Sequence, residues 1–450
     1  MKQRALLVVA GLIGVLAVLA SLTVAAAGST GAAQSPEALR ATIAPPAVPN
    51  AKAIKAKYGG KTVTFVGDNA VGSSHKRDLL LVARFTRDTG IKVKLIPHPA
   101  ASDAAYAQLA RNFSSKSSAI DVMMLDIVWP GAFATYLANL KPALSKEAAK
   151  HAQGIIQNNT VDGKLIAMPW FGDFGILYYR TDLLTKYGYK GPPKTWAQLG
   201  AYAKKIQDGE RQSNENFYGF VYQGNSYEGL TCNALEWIAS SGGGNLIDNG
   251  KASINNPKAI AILNTLRGWV GSLSPRGVTS YQEEDARNAF ASGNAAFLRN
   301  WPYAYSANQS TPVKGKFDVT VLPHGPGAAS VGTVGGWQLG VSKYSKNIPA
   351  STELVRYLTS PAVQRFNAIY NTNVPTIPSV AADKAVIKVN PYLKPEIINV
   401  KRVTRPGKFL KTRYNQGSQI IYQGINQILN GQDAKNVLPG LESRLNRLLR

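Results

Sequence analysis

The segment Met168–Trp196, MPWFGDFGILYYRTDLLTKYGYKGPPKTW, is the most informative stretch of the chain. It opens on an aromatic and acidic cluster that contains Phe171 and Asp173. A short apolar strand is predicted next, over residues 176–179, and a helical turn over residues 181–187. Aromatic rings can cover the C–H faces of a polyhydroxylated ligand, and a carboxylate can accept its hydroxyl hydrogens. The same cluster is also typical of a buried aromatic core with a helix-capping aspartate, and both interpretations stay open.

The end of this segment contains a helix start signal. Thr195 follows a loop that contains Pro192 and Pro193, and Gln198 comes three residues later. This spacing is that of a capping box, in which the two side chains satisfy backbone N–H groups at the first turn. The segment therefore predicts a strand, a helical turn, a loop and a helix in succession.

Length and composition indicate a globular protein with more than one domain. A chain of 450 residues is too long for one ordinary hydrophobic core, and 45% hydrophobic with 17% charged residues is a globular composition. The formal net charge is +25, but Lys and Arg are spread along the chain without a block of five or more. A generally basic, solvated surface is therefore favoured over a nucleic-acid site, and we expect no nucleic-acid partner.

Cysteine and histidine usage argues against a disulfide framework and a metal centre. The single cysteine, Cys232, excludes an intrachain disulfide and a CxxC site, and its apolar helical context predicts a buried position. The four histidines are scattered and show no metal-binding spacing. We therefore predict neither a metal nor a cofactor.

The N-terminus carries an export signal. Residues 1–27 show two basic residues, an apolar run and then small residues, which is the order of a secretory signal peptide. An uncleaved membrane anchor is the alternative, because the apolar run nearly reaches spanning length. Residues 28–57, rich in Ala, Ser and Pro at their start, are predicted to be a flexible tether. The protein is thus expected at the extracellular face of the membrane or in the periplasm.

Strands and helices alternate in the chain after residue 58. This alternation predicts a parallel, doubly wound α/β sheet, in which ligands bind beyond the C-terminal ends of the strands. Asp68 and Asn69 follow the first strand and Asp126 follows the third, so all three are candidate binding residues. Asp126 fits a helix cap equally well. The predicted strands cover residues 62–66, 91–96 and 120–125, and the predicted helices cover residues 77–89 and 104–113.

A loop in the second half of the chain supplies further candidates. Tyr222, Gln223, Tyr227 and Glu228 lie in a Gly-punctuated stretch before a helix that is predicted over residues 230–239. Polar and aromatic side chains on a loop between a strand and a helix suit binding. A solvated loop without a ligand is the alternative.

Three more short motifs are candidates for ligand contact. Trp301 and Tyr303 flank a proline, which makes either a rigid platform for a ligand or a corner of the core. Gly335 and Gly336 precede Trp337, and paired glycines let the backbone approach a ligand or a neighbouring strand closely. Arg405 lies in a basic loop. Two C-terminal helices are predicted to bury Ile421, Ile425 and Ile428, and Leu441, Leu445 and Leu448.

These motifs together resemble one known family. The segment Met168–Trp196 is similar to the pattern PW…D.G.LYYR.DLL.KYG…PP.TW of the extracellular solute-binding proteins (family 1) that serve ABC importers, and most of all to their trehalose/maltose-binding branch. The similarity runs in order from about Thr62 to the C-terminus. It also includes DVMMLDIVWPGAF, GFVYQGNSYEGLTCNALEW, GNAAFLRNWPYAY and GGWQLGVSKYS.

The resemblance implies a fold and a set of partners. The fold is the type II periplasmic-binding-protein fold, in which two doubly wound α/β lobes are joined by a hinge and hold a sugar in the cleft between them. Lobe one would take residues 58–168 and 317–370, and lobe two would take residues 169–316 and 371–450. The implied partners are an α-glucoside or other small sugar and the transmembrane subunits of an ABC permease, with a monomeric receptor.

The resemblance also implies roles for particular residues. Asp126 and Asp173 match cleft aspartates that accept sugar hydroxyl hydrogens, and Arg405 matches an arginine that donates to sugar hydroxyls. Trp301 and Tyr303 match the stacking pair. The backbone-and-ring wall of the cleft is matched by Gly335, Gly336 and Trp337, and weaker candidates are Asn69, Glu228, Asp68, Tyr222 and Gln223.

Two departures from the family pattern bear on the sugar. Phe171 stands where the trehalose/maltose branch has a tyrosine, so one hydroxyl contact is lost. The early helix, where the branch offers a glutamate, reads Gly-Ser-Ser-His-Lys over residues 72–76 and contains no carboxylate.

The predicted function is that of a receptor and not an enzyme. The leading hypothesis is a sugar receptor that captures a trehalose-like or maltose-like α-glucoside, closes, and delivers it to a permease. A glycoside hydrolase that uses Asp126 and Asp173 as its carboxylate pair is the alternative, as is a receptor for a different small polar solute. A third hypothesis, binding of an anionic polymer through the basic surface, predicts an affinity that falls steeply with salt.

Overall fold

A six-stranded and a four-stranded β-sheet organise the structure, a computed structural model that describes residues 35–69 and 73–450. The strands are Thr62–Gly67 (β1), Lys92–Pro97 (β2), Val122–Asp126 (β3), Thr160–Val161 (β4), Lys164–Leu165 (β5), Ala167–Phe174 (β6), Ile176–Arg180 (β7), Tyr218–Val221 (β8), Ile247–Asp248 (β9), Lys251–Ala252 (β10), Ala295–Asn300 (β11), Phe317–Thr320 (β12), Val331–Val341 (β13) and Lys401–Val403 (β14).

Helices cover the faces of both sheets. The α-helices are Pro36–Thr42 (α1), Ala51–Tyr58 (α2), Ser73–Thr89 (α3), Ser102–Ser114 (α4), Pro130–Phe133 (α5), Lys141–Ala148 (α6), Gln153–Asn158 (α7), Thr181–Lys186 (α8), Trp196–Glu210 (α9), Glu228–Ser240 (α10), Pro257–Trp269 (α11), Glu283–Ala291 (α12), Tyr303–Asn308 (α13), Ile348–Leu358 (α14), Pro361–Asn371 (α15), Pro378–Ala381 (α16), Lys384–Val389 (α17), Pro395–Ile398 (α18), Gly407–Leu410 (α19), Tyr414–Leu429 (α20) and Ala434–Leu449 (α21).

The larger sheet has the strand order β14-β13-β3-β1-β2, and β6 pairs with β13. Its strands β1, β2 and β3 are parallel, as the alternation of strands and helices predicts. The continuous apolar run of β3 is buried along its whole length, which is typical of a strand covered on both faces. β13 runs antiparallel to both β3 and β6, so the sheet is mixed and not purely parallel.

The smaller sheet has the strand order β12-β7-β11-β8. Strand β12 pairs with β7 from Phe317 opposite Arg180 to Thr320 opposite Leu177. The prediction that assigns residues 317–370 to lobe one, together with residues 58–168, is therefore wrong for this strand. Phe317 and Val319 alternate inward and pack in the apolar cluster of the smaller sheet, which is why the strand belongs there.

Two connections join the sheets. The chain leaves the larger sheet at Gly175, between β6 and β7, and returns between β12 and β13. The C-terminal part also contributes to both sides, because β14 pairs with β13 in the larger sheet while α20 packs against α10 beside the smaller one. The prediction that all of residues 371–450 belong to lobe two is therefore wrong for β14.

Helices α20 and α21 close the core beside the smaller sheet. Ile421, Ile425 and Ile428 are fully buried, and so is Leu445, as the helical spacing predicts. The last predicted position, Leu448, is only partly buried and packs on a different cluster of the core.

The segment before β1 differs from its prediction. Residues 28–57 were expected to form a flexible tether, yet α1 and most of α2 lie inside this range. Val48 is buried and donates its backbone N–H to Asp88 Oδ2 at 3.0 Å, and Ile54 is buried on the larger sheet's core. These two apolar side chains anchor the segment to the core. The Ala- and Pro-rich composition of the segment does not reveal this packing.

The structure does not test the predicted signal peptide. The predicted signal peptide or anchor, residues 1–27, lies outside the described residues. Within residues 35–69 and 73–450, no helix has both the length and the apolar character that crossing a membrane requires.

The predicted capping signal is confirmed, since Thr195 Oγ1 accepts from the Gln198 N–H at 3.1 Å and α9 begins at Trp196.

Candidate functional site

A cavity of about 440 Å³ lies where the carboxyl ends of β1 and β3 meet the start of α10 and the β11–α13 connection. Its walls therefore come from elements of both sheets. Of the fifteen candidate residues named from the sequence, thirteen line it: Asp68, Asn69, Asp126, Phe171, Asp173, Tyr227, Glu228, Trp301, Tyr303, Gly335, Gly336, Trp337 and Arg405.

A larger groove lies elsewhere. It encloses about 1070 Å³ between α9 and α11, and none of the candidate residues lines it. Its walls mix apolar side chains with polar ones, of which Lys204 and Asp208 already pair with each other, whereas the smaller cavity gathers several carboxylates, a guanidinium and aromatic rings. The chemistry of the site therefore belongs to the smaller cavity.

Arg405 connects the two sides of the cavity. Its Nη2 donates to Asp126 Oδ1 at 2.6 Å and its Nη1 to Asp126 Oδ2 at 3.1 Å, a bidentate ion pair at the end of β3. The same Nη1 also donates to Glu228 Oε1 at 2.7 Å, at the first residue of α10. All three side chains are buried, so the guanidinium neutralises two carboxylates that water cannot stabilise. The Arg405 Nε–H has no partner among the described residues.

Glu228 is held by a third element as well. Tyr414 Oη and Ser418 Oγ, both on α20, donate to its two carboxylate oxygens. Burial raises the pKa of Glu228, Arg405 opposes that shift, and the nearby Asp126 adds to it. The contacts fix Glu228 as part of the wall that joins α10, α20 and the Arg405 segment.

Asp173 lies opposite Gly335 in the β6–β13 ladder. Its Oδ1 is buried and has no hydrogen-bond partner in the described part of the chain. Burial raises its pKa well above the ordinary value, Arg299 opposes this, and Asp68 and Glu283 add to it. A buried acceptor without a donor is costly, so this oxygen is suited to a ligand that brings a donor.

Trp301 forms one aromatic wall of the cavity. Its indole N–H donates to Glu283 Oε1 at 3.3 Å, and the Arg299 guanidinium lies 3.9 Å from the ring centroid. A side chain at Gly335 would place its first carbon only 3.1 Å from the Trp301 ring, so this glycine makes room for the indole. The ring is thus fixed before any ligand arrives.

Two acidic residues that the sequence reasoning missed hold the aromatic side chains. Glu283 Oε2 accepts from Tyr227 Oη at 2.7 Å while Oε1 accepts from Trp301. Glu284 Oε1 accepts from Tyr303 Oη at 2.7 Å. Both glutamates begin α12, and nothing in their local pattern indicates that the rings they hold lie eighteen or more residues away in Trp301 and Tyr303.

Gly336 and Trp337 form another part of the cavity wall. Gly336 has φ = 115°, and a side chain there would start 2.5 Å from the Phe171 carbonyl oxygen, so the close approach is to strand β6. Trp337 stacks on His98 with ring centroids 5.0 Å apart and meets Trp129 edge-on at 5.6 Å. The paired glycines thus serve the neighbouring strand and also line the cavity.

An ionic network on the larger sheet contacts two residues that line the cavity, Asp68 and Phe171. Arg77 is fully buried, donates to Asp78 at 2.8 Å and to Asp68 at 3.3 Å, and lies 5.2 Å from the centroid of the Phe171 ring. Asp68 also accepts from the Asn69 backbone N–H at 2.9 Å. Phe171 and Asp68 are therefore partly committed to the protein itself.

Two weaker candidates lie away from the cavity. Tyr222 is fully buried in the core of the smaller sheet, and Gln223 donates to the Arg299 carbonyl and accepts from its guanidinium. Both residues directly follow β8 and are buried, so neither lines the cavity, whereas Tyr227 and Glu228 from the same predicted loop do. Cys232 is buried, as predicted, and burial raises the pKa of its thiol.

Three comparisons bear on this geometry. The model of the family "Bacterial extracellular solute-binding protein" matches residues 76–365. A relative from Deinococcus radiodurans, named "Probable ABC transporter-binding protein", is 45% identical over 86% of this chain and 93% of its own length. The "Galactooligosaccharide-binding protein" of Bacillus subtilis is 24% identical over 68% of this chain and 71% of its own length.

A solved structure agrees with these findings. "Maltose bound T. maritima MalE3" superposes with a TM-score of 0.81 and is 34% identical, and the match covers 86% of this chain and 100% of that one. This likeness confirms the predicted periplasmic-binding-protein fold of type II. The predicted resemblance is also confirmed: the chain belongs to the family of bacterial extracellular solute-binding proteins.

Proposed function

We propose that this protein is the sugar receptor of an ABC importer and that it binds an α-glucoside disaccharide of the maltose or trehalose kind in the 440 Å³ cavity. The observation that carries the proposal is the gathering of thirteen of the fifteen candidate residues in that cavity. A volume of this size falls within the range of about 300–1,000 Å³ that small-molecule sites occupy.

Unpaired polar atoms in the cavity favour a ligand rich in hydroxyl groups. The Asp173 Oδ1 acceptor and the Arg405 Nε–H donor are both buried and have no partner among the described residues. A hydroxyl group can donate to the first and accept from the second, whereas a purely apolar ligand would leave both unsatisfied. The aromatic rings of Trp301, Tyr303 and Trp337 offer apolar faces for the C–H surfaces of the same ligand.

Family membership favours a receptor over a hydrolase. The family and its relatives are solute-binding proteins, which confirms the prediction of a binding protein. The contacts of the candidate carboxylate pair agree, because Asp126 uses both oxygens in its ion pair with Arg405. An acid catalyst would need a free proton to give, and an oxygen that accepts from a guanidinium is poorly placed for that role.

The choice of an α-glucoside rests on the similar structure that was solved with maltose. At Phe171 the contacts to the sugar would differ from those of the trehalose/maltose branch. The Phe171 ring carries no hydroxyl group to bind the sugar, and it packs against Arg77. Because the ligand would touch residues of both sheets, it would bind a closed arrangement better than an open one. The permease would recognise the closed, sugar-bound form of the receptor.

The proposal predicts that Asp173 contributes to sugar binding. Replacing Asp173 with alanine is expected to weaken binding of the preferred sugar by at least about 1.5 kcal/mol, because the hydrogen bond between its buried carboxyl group and a sugar hydroxyl is lost. Isothermal titration calorimetry measures this. The matched control is Asp208→Ala, which removes a carboxylate at the surface paired with Lys204. An Asp173→Ala protein that stays folded and binds as well as Asp208→Ala would contradict the assignment.

The same residue should limit stability in the absence of sugar. Burial raises the folded-state pKa of Asp173, so the folded protein holds this proton more tightly than the unfolded chain does, and stability falls as the pH rises from the unfolded-state pKa to the folded-state pKa. Asp173→Asn cannot ionise, so its free energy of unfolding should exceed that of the wild type near pH 8. The difference should shrink near pH 4, where the wild-type carboxyl is protonated too, and urea titrations at both pH values test this.

A further inference from the structure

A histidine that the sequence analysis left without a role lies in the cavity wall. His98 directly follows β2, beside Asp68, which follows β1, and these parallel strands pair with Gly67 opposite Pro97. The His98 side chain is 6% exposed, lines the cavity, and stacks on Trp337 with an angle of 25° between the ring planes. The ring is therefore held at the sheet edge where ligands of such folds bind.

The hydrogen bond at one ring nitrogen decides the chemistry of the other. His98 Nδ1 contacts the carbonyl oxygen of Pro99, and a carbonyl oxygen can only accept, so Nδ1 carries a proton. In the neutral imidazole, Nε2 is then the unprotonated nitrogen and can only accept a hydrogen bond. The structure thus presents an acceptor, and not a donor, at this point of the cavity.

No described residue satisfies this acceptor. His98 Nε2 is buried and has no hydrogen-bond partner within residues 35–69 and 73–450. Asp68 Oδ1 lies 3.8 Å away, beyond hydrogen-bond length. The hydroxyl of Ser102 also lines the cavity but makes no hydrogen bond with the ring. A buried nitrogen without a donor indicates a contact that a ligand completes.

We propose that His98 Nε2 accepts a hydrogen bond from one hydroxyl group of the bound sugar and so selects sugars that carry a hydroxyl at that position. This inference rests on the proposed function, because it assigns a further contact to the same cavity. The stack on Trp337 and the Nδ1–H bond to Pro99 fix the direction of the Nε2 lone pair. A sugar with hydrogen, fluorine or a methoxy group in place of that hydroxyl leaves the nitrogen unsatisfied and binds more weakly.

The test compares two histidines with the same local geometry. His98→Phe keeps a flat ring to stack on Trp337 but removes the acceptor. His324 makes the same kind of bond, from Nδ1 to the carbonyl of the next residue at 2.9 Å, and does not line the cavity, so His324→Phe is the matched control. Calorimetric titration of the full chain with maltose and trehalose is expected to show about tenfold weaker binding for His98→Phe and no change for the control.

A series of monodeoxy maltoses separates direct contact from a structural effect. For the wild type, one analogue should lose about tenfold in affinity through the missing donor to His98, and His98→Phe should bind that analogue and maltose equally. His98→Gln restores an acceptor and should recover part of the affinity. Its titration and the wild-type deoxy series remain decisive if His98→Phe does not fold.

The outcomes distinguish this inference from the proposed function. Wild-type binding with equal affinity in folded His98→Phe and His324→Phe would overturn the role of His98 while leaving the receptor function standing. A loss that is the same for maltose and for every deoxy analogue would assign His98 to support of the wall and overturn direct contact. Absence of wild-type binding to any of these sugars would overturn the proposed function and this contact with it.

Discussion

Replacing Arg405 with alanine is expected to lower the free energy of unfolding by about 3 kcal/mol. The guanidinium neutralises Asp126 and Glu228, which are 7% and 5% exposed, and no other cation contacts either carboxylate among the described residues. Removing Arg405 leaves two buried negative charges next to each other. Urea denaturation followed by tryptophan fluorescence measures the loss.

The matched control for Arg405 lies in the same segment. Lys408→Ala also removes one positive charge close to Arg405 in the sequence. Lys408 lies in α19, however, and its side chain is exposed. Its effect is expected to stay within about 0.5 kcal/mol. If the two variants unfold at the same urea concentration, the bridge between β3 and α10 does not hold the cavity together.

Replacing Trp301 with alanine is expected to weaken sugar binding by at least about 1.5 kcal/mol, a loss of about tenfold or more. The indole is held by Glu283, Arg299 and Gly335 and offers the apolar face on which a sugar ring would stack. Because the ring is already ordered, truncation removes contact area and not a flexible group. Calorimetric titration with the preferred sugar measures the effect.

A tryptophan outside the cavity provides the comparison for Trp301. Trp269 lies at the end of α11 beside the larger groove and is also partly buried. Trp269→Ala is expected to leave sugar affinity unchanged even if it lowers stability. Equal affinities for the two variants, both folded by circular dichroism, would remove Trp301 from the binding site.

Much of the cavity could be predicted because strand ends are visible in sequence. Asp126 follows an unbroken apolar strand, and Asp68 follows another, so the rule that ligands bind at carboxyl ends of parallel strands brings them together. His98 follows β2 by the same rule, and applying it there as well would have found it. Trp301, Tyr303 and Arg405 needed the family resemblance, since no local pattern distinguishes a binding ring from a core ring.

Other features depend on contacts that the sequence does not display. Arg405 pairs with Asp126 across 279 positions of the chain, and neither neighbourhood indicates the partner. Strand β12 was assigned to the wrong lobe because its alternation of apolar residues fits either sheet, and only the pairing with β7 decides. The helices α1 and α2 are short and of mixed composition, so the sequence does not reveal that Ile54 of α2 and Val48, which precedes α2, are buried.

The central claim, that this chain is a receptor for an α-glucoside, is tested most directly by calorimetric titration of the wild-type protein. The panel holds trehalose, maltose, sucrose, palatinose, glucose and maltotriose. The account predicts saturable binding of one or two of the disaccharides with a dissociation constant at or below about 1 μM, equivalent to about 8 kcal/mol. A folded protein that gives no binding heat with any of these sugars would contradict it.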